Sequence, residues 1–125
     1  MIARLDVWED AQRDIRELPS RVLQVAVMNT LKALRQNPWL GAELRDRVRV
    51  GDLRGLRRVP FDEPGWTDKP RYRVVYRNEP DDAVVEIVAV IAIGRRERLA
   101  AYREAAALLR AERRRRRAAS RALRA

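Results

Sequence analysis

The stretch from Val84 to Tyr102 reads VVEIVAVIAIGRRERLAAY, and its interpretation decides the fold. Val84 to Ile93 is almost wholly apolar and mostly β-branched, interrupted by Glu86, the pattern of a strand buried on both faces at the centre of a sheet. Gly94 stops the strand. Arg95, Arg96 and Arg98 follow at once, and Leu99, Tyr102, Ala106 and Leu109 then recur at helical spacing. A buried strand therefore delivers an arginine cluster to its own rim. Guanidinium groups are always charged and costly to bury, so such a cluster faces solvent or an anion.

Immediately upstream, Arg71 to Arg77 alternates strictly, with Tyr72, Val74 and Tyr76 on one side and Arg73, Val75 and Arg77 on the other. Asn78 to Asp82 is a polar turn leading into the apolar strand. Before them, Leu53 to Phe61 reads as a strand carrying Arg54, Arg57 and Arg58, followed by the proline- and glycine-bearing loop between Pro60 and Pro70. Short connections make these three strands an antiparallel meander. Leu40 to Val50 mixes apolar residues with charges and fits either helix or strand; Gly51-Asp52 signals a turn.

The N-terminal part supplies a layer to cover the sheet. Ile2, Leu5, Val7 and Trp8 predict a short first strand, and Glu9-Asp10 suits the positive end of a helix carrying Ala11, Ile15 and Leu18 on one face. Pro19 ends that helix and Ser20 can cap the next, which spans about Arg21 to Gln36 with Leu23, Val27, Leu31 and Leu34 in register. The result is an αα-hairpin whose apolar faces need a sheet. The expected class is α+β: an N-terminal strand and αα-hairpin packed on a small, mostly antiparallel sheet, with a C-terminal helix.

Composition narrows the chemistry. With 125 residues the chain suits one core. It has no cysteine, which removes thiol catalysis and disulfides, and no histidine, which removes imidazole acid–base catalysis and makes a zinc site a poor fit. No metal or organic cofactor is expected. No signal-like segment or run of ~20 apolar residues is present, so a cytoplasmic protein without membrane partners is the expectation. The net charge of +10 points to polyanions, but eight arginines and one glutamate within Arg110–Ala125 supply +7 of it. The chain accordingly divides into residues 1–109, a mildly basic globular domain, and 110–125, an arginine-rich extension expected to fray because its charges repel and it lacks a core face.

The segments GDLRGLRRV (Gly51–Val59), RYRVVY (Arg71–Tyr76) and GRRERLAAY (Gly94–Tyr102), in this order, resemble the RelE/ParE superfamily of type II toxins. The similarity is greatest to RelE-like ribosome-dependent mRNA interferases and covers residues 1 to about 109. It implies an endoribonuclease that cleaves A-site codons and inhibits translation. The partners it implies are the ribosome, mRNA and a cognate antitoxin, in a heterotetramer or another toxin–antitoxin assembly. By position, Arg73, Arg96 and Tyr102 match the family's catalytic arginines and tyrosine. Arg57 is one member of the basic pair on the second strand, with Arg54 or Arg58 as the other. Arg54, Arg58, Arg95 and Arg98 are the remaining candidates for contacting RNA.

Such cleavage is an in-line attack of a ribose 2′-oxygen on its own phosphate. Arginines stabilise the charge gathering on the phosphoryl oxygens, one good donor contributing ~3 kcal/mol, but cannot accept the proton. That task falls to Tyr102, whose phenol would need its pKa lowered by Arg73 and Arg96. Plainer readings stand beside these. Tyr102 also suits core packing, Arg73 an ion pair on the sheet, and Trp66 either base stacking or pinning its own loop. The arginine extension suits ribosomal RNA, an acidic antitoxin or solubility alone. Two other functions share the features: a ParE-like inhibitor of DNA gyrase without chemistry of its own, and a plain basic nucleic-acid-binding module.

Overall fold

The structure, a computed structural model, describes residues 2–44, 55–96 and 100–124, and of residues 100–106, 109 and 124 the backbone alone. Among the described residues the order is β1 (Arg4–Val7), α1 (Glu9–Arg16), α2 (Arg21–Gln36), β2 (Ala42–Glu43), β3 (Leu56–Phe61), β4 (Tyr72–Pro80), β5 (Val85–Arg95) and α3 (Ala100–Arg124). The strands form one sheet in the order β1-β5-β4-β3-β2. Pairing is antiparallel from β2 to β5, and β1 joins β5 in parallel. The α+β class and the meander are as expected. The apolar strand β5, however, lies between β1 and β4, and the middle of the sheet belongs to the alternating strand β4. Its apolar run is explained by cover on both faces, the αα-hairpin on one and α3 on the other.

The hairpin forms where the sequence places it. The Ser20 Oγ accepts from the Leu23 N–H at 3.2 Å and caps α2, while Glu9 and Asp10 occupy the first turn of α1. Leu23, Val27, Leu31 and Leu34 are all buried against Val59, Phe61, Tyr72, Val74, Tyr76, Val88, Val90 and Ile93. Burial of a leucine such as Leu31 contributes about 1.5–3 kcal/mol, so this interface holds the domain together. Polar ties cross it as well: the Ile93 N–H donates to Asp14 of α1 at 3.0 Å, and Gln12 of α1 donates to the Val7 carbonyl of β1 at 2.9 Å.

The expectation of a frayed tail is corrected. α3 runs without interruption from Ala100 to Arg124, through residue 110. Alanine and arginine are strong helix formers, Glu112 pairs with Arg116 one turn on at 2.7 Å, and Glu112 also reaches the sheet at Arg77. Arginines in the last turns also sit at the negative end of the helix dipole.

Candidate functional site

Strand register sorts the arginines by face. On β3, Arg57 opposes Tyr76, Arg58 opposes Val75 and Pro60 opposes Arg73; on β5, Gly94 opposes Arg73. Because side chains alternate, Arg58, Arg73 and Arg77 share one face, against which α3 packs, whereas Arg57 shares the hairpin face with Tyr72, Val74 and Tyr76. The Arg96 N–H donates to the Arg71 carbonyl at 2.7 Å, which extends the ladder one step and gives Arg96 the face of Gly94 and Arg73. Arg58, Arg73 and Arg96 are thus diagonal neighbours, with Cα steps of about 7–8 Å. Arg58 and Arg96 are half-buried, and Arg73 is 5% exposed. The Nη1 of Arg73 donates to the carbonyls of Pro70 at 3.2 Å and Tyr72 at 3.0 Å.

Arg57 does not join this group. Its Nη1 donates to the Gly41 carbonyl at 2.7 Å, its Nε to Asp82 at 3.0 Å, and its Nη2 lies 3.6 Å from Glu43. Those bonds fasten the loop after α2 and the β4–β5 turn to the edge of the sheet. The same corner holds the Tyr76 hydroxyl, which donates to Pro38 O and accepts from the Gly41 N–H, both at 2.8 Å. Burial pushes this phenol's pKa up, so it stays a neutral donor. A Cβ at Gly41 would lie 2.6 Å from Arg58 O and 2.7 Å from the Tyr76 hydroxyl, which is why only glycine fits. Asn78 completes the corner, donating to Pro38 O at 3.0 Å and Asp82 at 2.8 Å.

Arg95 is exposed and lies over the Tyr72 ring at 5.8 Å, on the hairpin face. Arg54 and Arg98 lie outside the described residues, and of Tyr102 the backbone alone is described, within the first turn of α3. Glu112 of α3 meets Arg77, and position 102 is ten residues earlier, about 15 Å back along the helix. That direction leads from the level of Arg77 toward the Arg73–Arg96 end of the sheet.

Two residues that the sequence reading did not single out prepare the site. Asp62 and Arg71 flank the long loop and close it with three bonds: Arg71 N–H and Nε to Oδ2 at 2.9 and 3.0 Å, and Nη2 to Oδ1 at 2.9 Å. The Arg71 guanidinium beside it is the main cause that lowers the Asp62 pKa to about 2. The other side of that guanidinium lies 3.7 Å from the Trp66 ring, and Trp66 Nε1 donates to Lys69 O at 3.2 Å. Trp66 therefore pins its own loop. Since Arg71 also holds the Arg96 backbone, the closed loop fixes where Arg96 stands. A carboxylate and an arginine on either side of a Pro-Gly loop is the signal that would have found the pair.

Among the described residues no cluster of three or more acidic side chains could hold a metal ion, and no helix is long and apolar enough to cross a membrane.

The fold is shared with solved toxins. An arginine-to-alanine double mutant of E. coli toxin RelE in the free state superposes with a TM-score of 0.57 at 26% identity, covering 84% of this chain and 95% of that one. The toxin–antitoxin complex RelBE2 from Mycobacterium tuberculosis contains a chain of similar fold, with a TM-score of 0.53 at 24% identity, over 77% of this chain and 100% of that one. No curated protein matches the chain. The model of the ParE toxin of type II toxin-antitoxin systems matches residues 6–100. With that match spanning most of its length, the chain belongs to the ParE toxin family of the RelE/ParE superfamily, the toxins of type II toxin-antitoxin systems.

Proposed function

We propose that this toxin is a ribosome-dependent endoribonuclease that cuts mRNA in the A site by 2′-oxygen attack on the adjacent phosphate. The observation that carries the reading is the diagonal Arg58–Arg73–Arg96 on one sheet face. Three guanidinium groups at such spacing set up the positive potential that a developing phosphorane dianion needs. Their exposures suggest separate roles. Arg58 and Arg96 are open enough to meet phosphoryl oxygens, and Arg73 lies buried between them on the same face, held by the Pro70 and Tyr72 carbonyls. Tyr102 is the proposed proton acceptor or orienting group for the 2′-hydroxyl. Arg58, rather than Arg57, is then the catalytic arginine of β3, because Arg57 faces the hairpin and is held by Asp82 and Gly41. A cognate antitoxin would hold the toxin inactive in the cell.

The test is primer extension on an mRNA incubated with purified toxin and translating ribosomes, wild type against Arg96→Ala. Cuts at A-site codons that vanish in the variant are expected. A second reading, inhibition of DNA gyrase, is favoured by the ParE description of the matching family and by the burial of Arg73. Wild-type protein that cuts no codon but traps gyrase on cleaved DNA would establish that reading in place of the first.

A further inference from the structure

The arginine-rich end of α3 is two-sided, which composition alone hides. At 3.6 residues per turn, Arg110, Arg113, Arg114, Arg117 and Arg121 fall within an arc of about 100°. All five are exposed. The opposite arc carries Glu112, Arg115 and Arg116, which line a cleft of about 310 Å³ with Asp6, Trp8, Arg77 and Glu79 of the body. Glu112 is the last acidic residue of the chain, and it is turned toward the sheet, bonded to Arg77. The outward stripe thus holds five like charges along about 17 Å of helix with no acidic residue among them. Like charges three and four residues apart oppose the helix that carries them, so the arrangement favours an external polyanion.

We propose that this stripe docks along the phosphate backbone of duplex RNA. Its axial charge spacing, about one per 4 Å, is of the same order as the ~3.4 Å per phosphate of one strand of a DNA duplex, and A-form RNA carries its phosphates at comparable density. A guanidinium fork also matches phosphate oxygens in pairs. A protein partner would call for apolar or aromatic anchors at the centre of the contact, and the stripe contains none. The choice of RNA rests on the ribosomal reading above, whereas the sidedness of the stripe is independent of it.

The full-length pair variants Arg114→Gln/Arg117→Gln and Arg115→Gln/Arg116→Gln each remove two charges, one pair from the stripe and one from the cleft side. Their binding to an RNA duplex and to a DNA duplex of the same sequence is measured by fluorescence anisotropy across roughly 50–200 mM salt, with folding checked by circular dichroism. The stripe pair is expected to flatten the log affinity against log salt slope for RNA by about 1.5–2, and the cleft pair by less than half of that. Equal loss from both pairs would overturn the stripe. Tighter binding of DNA than of RNA would overturn the assignment of the partner. Stripe-dependent RNA binding by a protein that cuts no codon would leave the stripe standing and remove the nuclease.

Discussion

Glu112 grips Arg77 with both carboxylate oxygens, each 2.9 Å from Nη2, and so ties the terminal helix to the middle strand of the sheet. Arg77 is also held by Glu79 at 3.1 Å and lies 5.4 Å from the centre of the Trp8 ring. Both members of the Arg77–Glu112 pair are largely shielded from water, which makes the bond stronger than a surface ion pair. Glu112→Gln is expected to cost about 2 kcal/mol in urea denaturation and to speed amide exchange in α3 before that in α2. Uniform exchange across both helices would show that Glu112 does not hold α3 in place.

The Tyr76 corner predicts a second stability effect. Tyr76→Phe removes the partner of the buried Gly41 N–H, while Pro38 O keeps its bond from Asn78. The expected loss is about 1–3 kcal/mol, read as a lower denaturation midpoint with unchanged slope. Gly41→Ala should be at least as harmful, because backbone Arg58 O is one of the atoms it meets. A neutral Gly41→Ala would contradict the packing described.

Asp62 makes the loop sensitive to acid. Its folded pKa is depressed to about 2, so the stability it contributes is present above its ordinary value and is lost as pH falls from about 4 toward 2. Limited proteolysis should cut between residues 63 and 70 faster at the low end of that window. Asp62→Asn should cut at the fast rate already at neutral pH. Unchanged protection in that variant would mean that Trp66 on Arg71 suffices to close the loop.

Asp14 predicts the opposite sign. Burial is the first cause that raises its pKa, with the Ile93 N–H acting against it, so its ionisation opposes folding. The penalty is absent below its ordinary value, grows as pH rises through the raised folded pKa, and persists at neutral pH. Asp14→Asn keeps an acceptor for Ile93 and is expected to be as stable as the wild type or more so at pH ~7, an advantage that disappears near pH ~3. A loss at neutral pH would show that the charge itself is needed there.

What could be read from residues alone was set by how local the cause is. The period-2 alternation of Arg71–Arg77 and the 3.6-period of α2 are written in neighbouring residues, and α2 stands where the pattern puts it. By contrast, β4 runs on to Pro80 through the first residues of the expected turn, and β5 runs through Gly94 to Arg95, because pairing between the two strands continues past both signals. The face of Arg57 was not legible, because Gly55 and Pro60 interrupt the alternation of β3 and its register with β4 is a long-range fact. The helical tail was missed for a similar reason. Repulsion among Arg113–Arg117 is visible in the sequence, but the tie from Glu112 to a residue 35 positions earlier is not. Arg58, Arg73 and Arg96 were all legible as candidates; their common diagonal became visible with the sheet.

The most direct measurement is the single-turnover rate of A-site mRNA cleavage on ribosomes by Arg58→Ala and by Arg95→Ala. Arg58 lies on the face of Arg73, and Arg95 lies over Tyr72 on the other face. The expected result is about a 10²-fold slower cut for Arg58→Ala and a rate within a few-fold of wild type for Arg95→Ala. A normal rate for Arg58→Ala, or a loss confined to Arg95→Ala, would contradict the assignment of the site to this face.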